Sequence, residues 1–74
     1  MNKIQVILDT QSDVTEFVHL ANTITEDVFL EDGTQFRANA KSLMGVMYGM
    51  YEFKNLYVIS ESDTISTKFM KFII

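Results

Sequence analysis

The sequence predicts an α+β domain in which one four-stranded sheet packs against helices, in the order β-α-β-β-α-β-α. The apolar periodicity changes repeatedly along the chain between the two-residue repeat of a strand and the 3.6-residue repeat of a helix. One tight turn signal, Asp32-Gly33, links two of the short strands directly. With 74 residues, the chain is predicted to be a single domain over residues 1–74. These patterns favour an open-faced two-layer sandwich with three helices on one face of the sheet.

The composition argues against several classes of function. The chain has no Cys, so a disulfide framework, a thiolate zinc site and a thiol nucleophile are all excluded. Its formal net charge of −4, with six Lys plus Arg residues, disfavours nucleic-acid binding, because phosphate contacts need a basic surface. No apolar run is long enough for a membrane span, and the N-terminus lacks a signal-peptide pattern. We therefore expect a cytoplasmic protein that binds neither nucleic acid nor membrane.

The first third of the chain predicts a strand and then an amphipathic helix. Lys3 to Asp9 alternates like a half-buried strand, with one face formed by Ile4, Val6 and Leu8. A polar break follows that contains several N-cap residue types. Four apolar residues then recur at helical spacing over about three turns, namely Val14, Phe17, Val18 and Ala21. Asn22 is the predicted end of this helix, since Asn tolerates left-handed geometry.

The middle of the chain predicts a hairpin. Asp27 to Glu31 has the pattern of a strand, with Val28 and Leu30 on its buried face. Asp32-Gly33 predicts a type I′ turn, which needs a positive φ at both central residues. The returning strand is predicted over Thr34 to Ala40, and its inward residues are Phe36, Ala38 and Ala40.

The last third predicts two helices separated by a strand. Ser42 is a favoured N-cap for a helix whose apolar residues recur at helical spacing, namely Leu43, Met44, Met47 and Met50. A loop from Tyr51 to Asn55 leads to a strand over Leu56 to Ile59, whose buried face the pattern does not determine. Ser62 or Asp63 is the predicted cap of a final helix, whose buried stripe comprises Ile65, Phe69, Phe72 and Ile73.

Two segments resemble a known protein family. Asp27 to Gly33, together with Asn39 to Met47 (Asn-Ala-Lys-Ser-Leu-Met-Gly-Val-Met), looks like the second half of HPr. HPr is the histidine-containing phosphocarrier of the bacterial sugar phosphotransferase system. The run is closest to that of its regulatory paralogue Crh, and the element order matches over nearly the whole chain. The resemblance implies an HPr-like antiparallel sheet with the strand order 1-4-2-3.

The segment that carries the activity of this family is different in this chain. HPr depends on a His-Ala-Arg-Pro motif between its first strand and first helix, where the His accepts phosphate from Enzyme I. The corresponding residues, Thr10, Gln11 and Ser12, mark the position of a lost active-site loop without His, Arg or Pro. Asp13 and Glu16 also place negative charge where a helix N-terminus would otherwise favour an anion. We therefore expect no histidine phosphocarrier activity.

No other chemistry is indicated by the sequence. His19, the one histidine, lies two positions after Phe17, a rotation of about 200° on a helix, and is therefore predicted to face solvent. No Ser-His-acid set is suggested, the acidic residues lack the spacing of a calcium loop, and no phosphate-binding glycine loop is present. We expect no metal site, no cofactor and no enzymatic activity.

The resemblance assigns two roles to the second predicted helix. Ser42 matches the position that HPr kinase phosphorylates in Gram-positive members, where the helix N-terminus and Lys41 would favour a phosphate. A plain N-cap explains the same Ser without a kinase. The candidate partner-binding residues, for which a core position is the alternative, are Leu43, Met44, Met47, Tyr48 and Met50.

Three functions are compatible with these features. The leading hypothesis is an HPr-like protein without phosphocarrier activity that acts as a regulatory or protein-binding module through its second helix. Its partners would be a phosphotransferase-system enzyme, HPr kinase or a transcription regulator. One alternative is a functional phosphotransferase component with an atypical acceptor in Thr10 to Ser12. The other is a self-associating structural domain, in which the second helix forms a homodimer seam.

Overall fold

Four antiparallel strands form a single sheet that packs against the helices. The computed structural model describes residues 1–74. The strands are β1 (Asn2–Val6), β2 (Val28–Glu31), β3 (Arg37–Asn39) and β4 (Leu56–Ser60). The helices are α1 (Gln11–Ala21), α2 (Leu43–Glu52) and α3 (Ile65–Lys68), followed by a 3-10 turn at Met70–Phe72. The strand order β1-β4-β2-β3 confirms the predicted α+β sandwich and its topology.

The register of the sheet decides which side of each strand is buried. Val58 of β4 lies between Ile4 of β1 and Leu30 of β2. Val58 and Leu30 are fully buried in the core, and Leu56 joins the same cluster. β4 therefore turns Leu56 and Val58 towards the helices, because alternate residues of a strand share one face. The structure thus settles the face that the periodicity left open.

Aromatic contacts join the first helix to the final segment of the chain. Phe17 of α1 stacks on Phe69 with 4.6 Å between ring centroids, and it meets Phe72 edge-on at 6.0 Å. All three side chains are buried. Fully burying a Phe side chain contributes about 1.5–3 kcal/mol, so this trio is a large part of a small core.

Two glycines determine how close α2 lies to the sheet. A Cβ at Gly49 would lie 2.8 Å from the Phe36 ring, and a Cβ at Gly45 would lie 3.1 Å from Ala38. Val46, between them, is fully buried. The two glycines and Val46 therefore face the sheet at short range, whereas the large side chains exposed on the other side are Leu43, Met44, Tyr48 and Tyr51.

The outer face of the sheet is covered by its own side chains. The Lys3 ammonium lies 4.8 Å from the centroid of the Tyr57 ring, and the Arg37 guanidinium lies 4.6 Å from that of Phe29. Arg37 also forms a 3.1 Å salt bridge with Glu31. These cations cover the aromatic rings, a contact worth about 0.5–1 kcal/mol at an exposed site.

The hairpin differs from the predicted type I′ turn. Gly33 has a φ of 88°, but no other residue has a positive φ, so Asp32 does not meet the requirement of that turn. The Asp32 carboxylate instead accepts hydrogen bonds from the backbone N–H groups of Thr34 and Phe36, each at 3.0 Å. This side chain closes a longer loop, and β3 is therefore shorter than predicted.

Two element ends also differ from the prediction. The loop predicted from Tyr51 is wrong at its start, because α2 continues to Glu52 and ends with the Phe53 N–H bonded to the Gly49 carbonyl. β1 ends at Val6, before the predicted Asp9.

The final segment differs most. Thr64 precedes α3 but makes no capping hydrogen bond through its side chain. The Ser62 hydroxyl, one of the two predicted caps, accepts from the Thr64 N–H at 3.2 Å. Ile73 is partly exposed and forms an antiparallel bridge with Val6, so its assignment to the buried stripe is wrong. The chain leaves the helical turn at this point and extends along the edge of β1, where the Ile7 N–H donates to the Phe72 carbonyl at 2.8 Å.

None of the helices combines the length and the apolar character needed to cross a membrane.

Candidate functional site

The first turn of α1 is closed by its own side chains. Thr10 is the N-cap, and its hydroxyl accepts a hydrogen bond from the Asp13 N–H at 3.1 Å. The Asp13 carboxylate accepts in turn from the N–H groups of Asp9 at 3.0 Å and Thr10 at 3.3 Å. This reciprocal arrangement is a capping box, with Asp in the place that Glu or Gln usually takes.

The capping box has a consequence for anion binding at this end of the helix. A helix N-terminus attracts anions through its free N–H groups and its partial positive charge. In this chain a carboxylate of the protein itself accepts from the N–H groups that lead into α1. A phosphate placed there would therefore meet a negative charge and fewer free donors.

The exposed side of α2 is apolar. Met44 is 83% exposed, and the neighbouring large side chains Leu43, Tyr48 and Tyr51 are also exposed. A shallow groove is lined by Leu43, Met44, Met47, Tyr48, Tyr51 and Glu52. Because these side chains share one side of one helix, they form a single surface, which we call the α2 face. A contiguous exposed apolar surface commonly marks an interaction site.

The predicted partner-binding residues divide between this surface and the core. Leu43, Met44, Met47 and Tyr48 all line the α2 face. Met47 and Met50 are both half-buried against the core, and of these two Met47 also lines the groove. Tyr48 is supported from beneath by Phe36, with 5.7 Å between their ring centroids.

Tyr51 belongs to the α2 face, although the sequence predicts a loop at this residue. It lies four residues after Met47 and three after Tyr48, and this helical spacing was the available signal. Its hydroxyl accepts a 2.8 Å hydrogen bond from the Gln11 side chain. This bond places the first turn of α1 directly beside the C-terminal end of the α2 face.

Helices α1 and α2 run antiparallel. The predicted position of the lost active-site loop, Thr10 to Ser12, therefore lies at one end of α2, and the candidate phosphorylation site Ser42 lies at the other. Gln11 at the start of α1 bonds Tyr51 near the end of α2, while Asn22 after α1 donates to the Lys41 carbonyl before α2. Ser42 is exposed at this second end, and its hydroxyl accepts from the Gly45 N–H at 3.4 Å, which confirms the predicted N-cap. Ser42 and Gln11 are thus separated by most of the length of α2.

His19 is exposed on α1, as predicted. It shares a polar surface with Gln11, Ser12, Thr15 and Glu16. Glu16 is engaged with Lys71 at 2.7 Å, and the hydrogen bond from the Lys71 ammonium to that carboxylate raises the pKa of the lysine. No group of three or more His, Cys, Asp or Glu side chains is arranged to hold a metal ion.

The architecture matches a solved structure over almost its full length. The crystal structure of HPr-C-His from Thermoanaerobacter tengcongensis superposes with a TM-score of 0.75, covering 99% of this chain and 91% of that one. The chain has the HPr fold. The likeness is one of fold, since the two sequences are 20% identical. No protein-family model matches the chain, and a search of curated proteins finds no similar sequence.

The HPr fold gives the two site regions a common frame. Thr10, Gln11 and Ser12 lie between the first strand and the body of the first helix, where the resemblance expects the phosphoacceptor loop. Leu43 to Glu52 form the second helix, to which the resemblance assigns partner contacts. The hydrogen bond between Gln11 and Tyr51 joins the two regions directly.

Proposed function

We propose that this HPr-fold protein is related to the sugar phosphotransferase system, does not carry phosphate on histidine, and binds a protein partner through its α2 face. The proposal depends on one observation: the Asp13 carboxylate accepts hydrogen bonds from the backbone N–H groups at the start of α1. A phosphocarrier needs a nucleophile and an anion site there, and this chain supplies a fixed negative charge.

His19 does not provide a substitute acceptor. It lies eight residues beyond Gln11, or about 12 Å along the helix axis at 1.5 Å per residue. Its position on the exposed side of α1 is also remote from the helix N-terminus, so the dipole offers little help to a phosphate. His19 lies on an exposed polar surface that it shares with Glu16, as is typical of an ordinary surface histidine.

The test is incubation with phosphoenolpyruvate and Enzyme I, followed by intact-protein mass spectrometry. We expect no added phosphate, whereas an HPr that retains its His motif is labelled in the same reaction. A phosphoform on His19 would overturn the proposal. A phosphoform in Thr10 to Ser12 would instead favour the atypical phosphotransferase component.

The binding role of the α2 face is tested with Met44→Asp. Met44 is the most exposed large apolar side chain of the face, and an Asp in the first turn of α2 suits the helix dipole, so the fold is expected to persist. We expect affinity for Enzyme I, measured by titration calorimetry, to fall at least about tenfold, because a charge would be placed in an apolar contact. Met70→Asp, at an exposed Met outside the face, is the matched control. Equal effects of both substitutions would contradict this assignment.

Ser42 carries a separate regulatory proposal. Its hydroxyl is exposed at the N-terminus of α2, where a phosphate would gain from the helix dipole and from Lys41. We expect HPr kinase and ATP to add one phosphate to the protein and none to Ser42→Ala. Absence of labelling would leave Ser42 with the N-cap role that the structure shows.

A further inference from the structure

Opposite charges lie at the two ends of α2. Lys41 immediately precedes the N-cap, and Glu52 is the last residue of the helix and its one charged residue. Neither takes part in an ion pair within the chain, because the two salt bridges are Glu31–Arg37 and Glu16–Lys71. The face is therefore an apolar strip with an unpaired cation before it and an unpaired anion at its end.

Both charges oppose the dipole of their own helix. A helix favours negative charge at its N-terminus and positive charge at its C-terminus, and each favourable placement is worth about 0.3–1 kcal/mol. Lys41 and Glu52 have the reverse arrangement. The dipole of a neighbouring antiparallel helix would stabilise both charges, because its negative end would lie beside Lys41 and its positive end beside Glu52. Helix α1 is one such neighbour on the inner flank, and the exposed flank has none within the chain.

A second copy of the chain supplies the missing neighbour. If two α2 faces meet across a two-fold axis with antiparallel helices, Lys41 of each copy lies opposite Glu52 of the other. The axis then passes close to Tyr48, and Met44 of one copy meets Tyr51 of the other. Sulfur–aromatic contacts of this kind are favourable.

We propose that the α2 faces of two copies pair antiparallel in a weak symmetric dimer, which covers the surface assigned above to a protein partner. The inference rests on that assignment of the α2 face as a binding surface. A ten-residue helix offers less area than the roughly 800 Å² per partner of a stable complex, so the dimer is transient. Self-association then regulates how much of the face is free for a partner.

A charge swap tests the pairing. Lys41→Glu or Glu52→Lys alone would place like charges opposite each other twice, and we expect dimer affinity in sedimentation equilibrium to fall about fivefold or more. The double variant Lys41→Glu with Glu52→Lys restores opposite charges and is expected to recover affinity to within about twofold. All three variants suit the helix dipole, so loss of folding does not explain a weaker dimer.

Glu61→Lys is the control, because it makes the same charge change as Glu52→Lys at an exposed residue outside the α2 face. It is expected to leave dimer affinity unchanged. If Glu61→Lys weakens the dimer as much as Glu52→Lys, or if the double variant is weaker than both single variants, the antiparallel pairing is wrong.

Cross-linking locates the axis. The chain has no Cys, so Tyr48→Cys introduces a single thiol close to the proposed two-fold axis. We expect it to form an intermolecular disulfide faster than Met70→Cys, which is exposed elsewhere. A strict monomer at millimolar concentration, or equal cross-linking of both variants, would overturn the dimer. Neither result depends on Enzyme I, so failure of the dimer is distinguishable from failure of the proposed function.

Discussion

Asp13 is the residue on which the proposed lack of a phosphate site depends most. Its carboxylate completes the capping box of α1, so Asp13→Ala removes an acceptor from two N–H groups. We expect a loss of about 1 kcal/mol in the free energy of unfolding, the usual cost of losing an N-terminal cap. Urea unfolding followed by circular dichroism measures it. Asp63→Ala, at an exposed acid without a hydrogen bond, is expected to change stability by less than about 0.5 kcal/mol.

Ionisation of Asp32 is expected to make the free energy of unfolding depend on pH in the acidic range. Hydrogen bonds from the side chain and backbone of Thr34 lower the pKa of this carboxyl below its ordinary value of 3.8. Because the folded pKa is the lower one, the stabilisation is present above 3.8 and is lost as the pH falls through the folded pKa. We expect Asp32→Asn to unfold in urea with a weaker dependence on pH in that acidic range. An unchanged pH dependence would show that the loop does not depend on the ionised carboxylate.

Helix α2 is shaped by its contact with the sheet. Gly49→Ala and Gly45→Ala bring the same gain in helix propensity, so their difference reports the contact alone. A Cβ at Gly49 would lie 2.8 Å from Phe36, whereas one at Gly45 would lie 3.1 Å from Ala38. We expect Gly49→Ala to be destabilising by about 1–3 kcal/mol, the range for overpacking, and Gly45→Ala to cost less. Thermal unfolding of the two variants compares them, and the opposite order would contradict the packing described above.

The same elements show how far the sequence could predict the fold and the site. The buried stripe of α1 was predictable, because Val14, Phe17 and Ala21 follow the local period of the helix. Ile73 has the same apolar character, but its pairing with Val6 is a contact between distant parts of the chain that no local period reveals.

The site was predictable to a similar degree. The negative charge of Asp13 could be recognised from the sequence, whereas its hydrogen bonds to the preceding N–H groups depend on the backbone path into α1. Tyr51 has helical spacing from Met47 and Tyr48, but the sequence around it also fits the loop predicted from Tyr51 to Asn55. Its place beside Gln11 follows from the antiparallel packing of two helices, which is a property of the tertiary structure.

Across the entire chain, stability depends on contacts that join its beginning to its end. Phe69, in the last segment, is fully buried against Phe17 of α1. Phe69→Ala is expected to cost about 3–5 kcal/mol, the range for a Phe truncated in a core. A domain of this size is at the low end of the usual 5–15 kcal/mol, so most of its stability would be lost.

Because the contacts of Phe69 lie in the one core cluster, this loss is expected to affect every element together. Near-ultraviolet and far-ultraviolet circular dichroism of Phe69→Ala should therefore decrease in parallel during urea unfolding. Phe69→Leu, which keeps most of the buried volume, is expected to remain folded with a smaller loss. If α1 and the sheet of Phe69→Ala kept their near-ultraviolet signal while the last segment unfolded alone, the two ends of the chain would be independent, and the single shared core would be disproved.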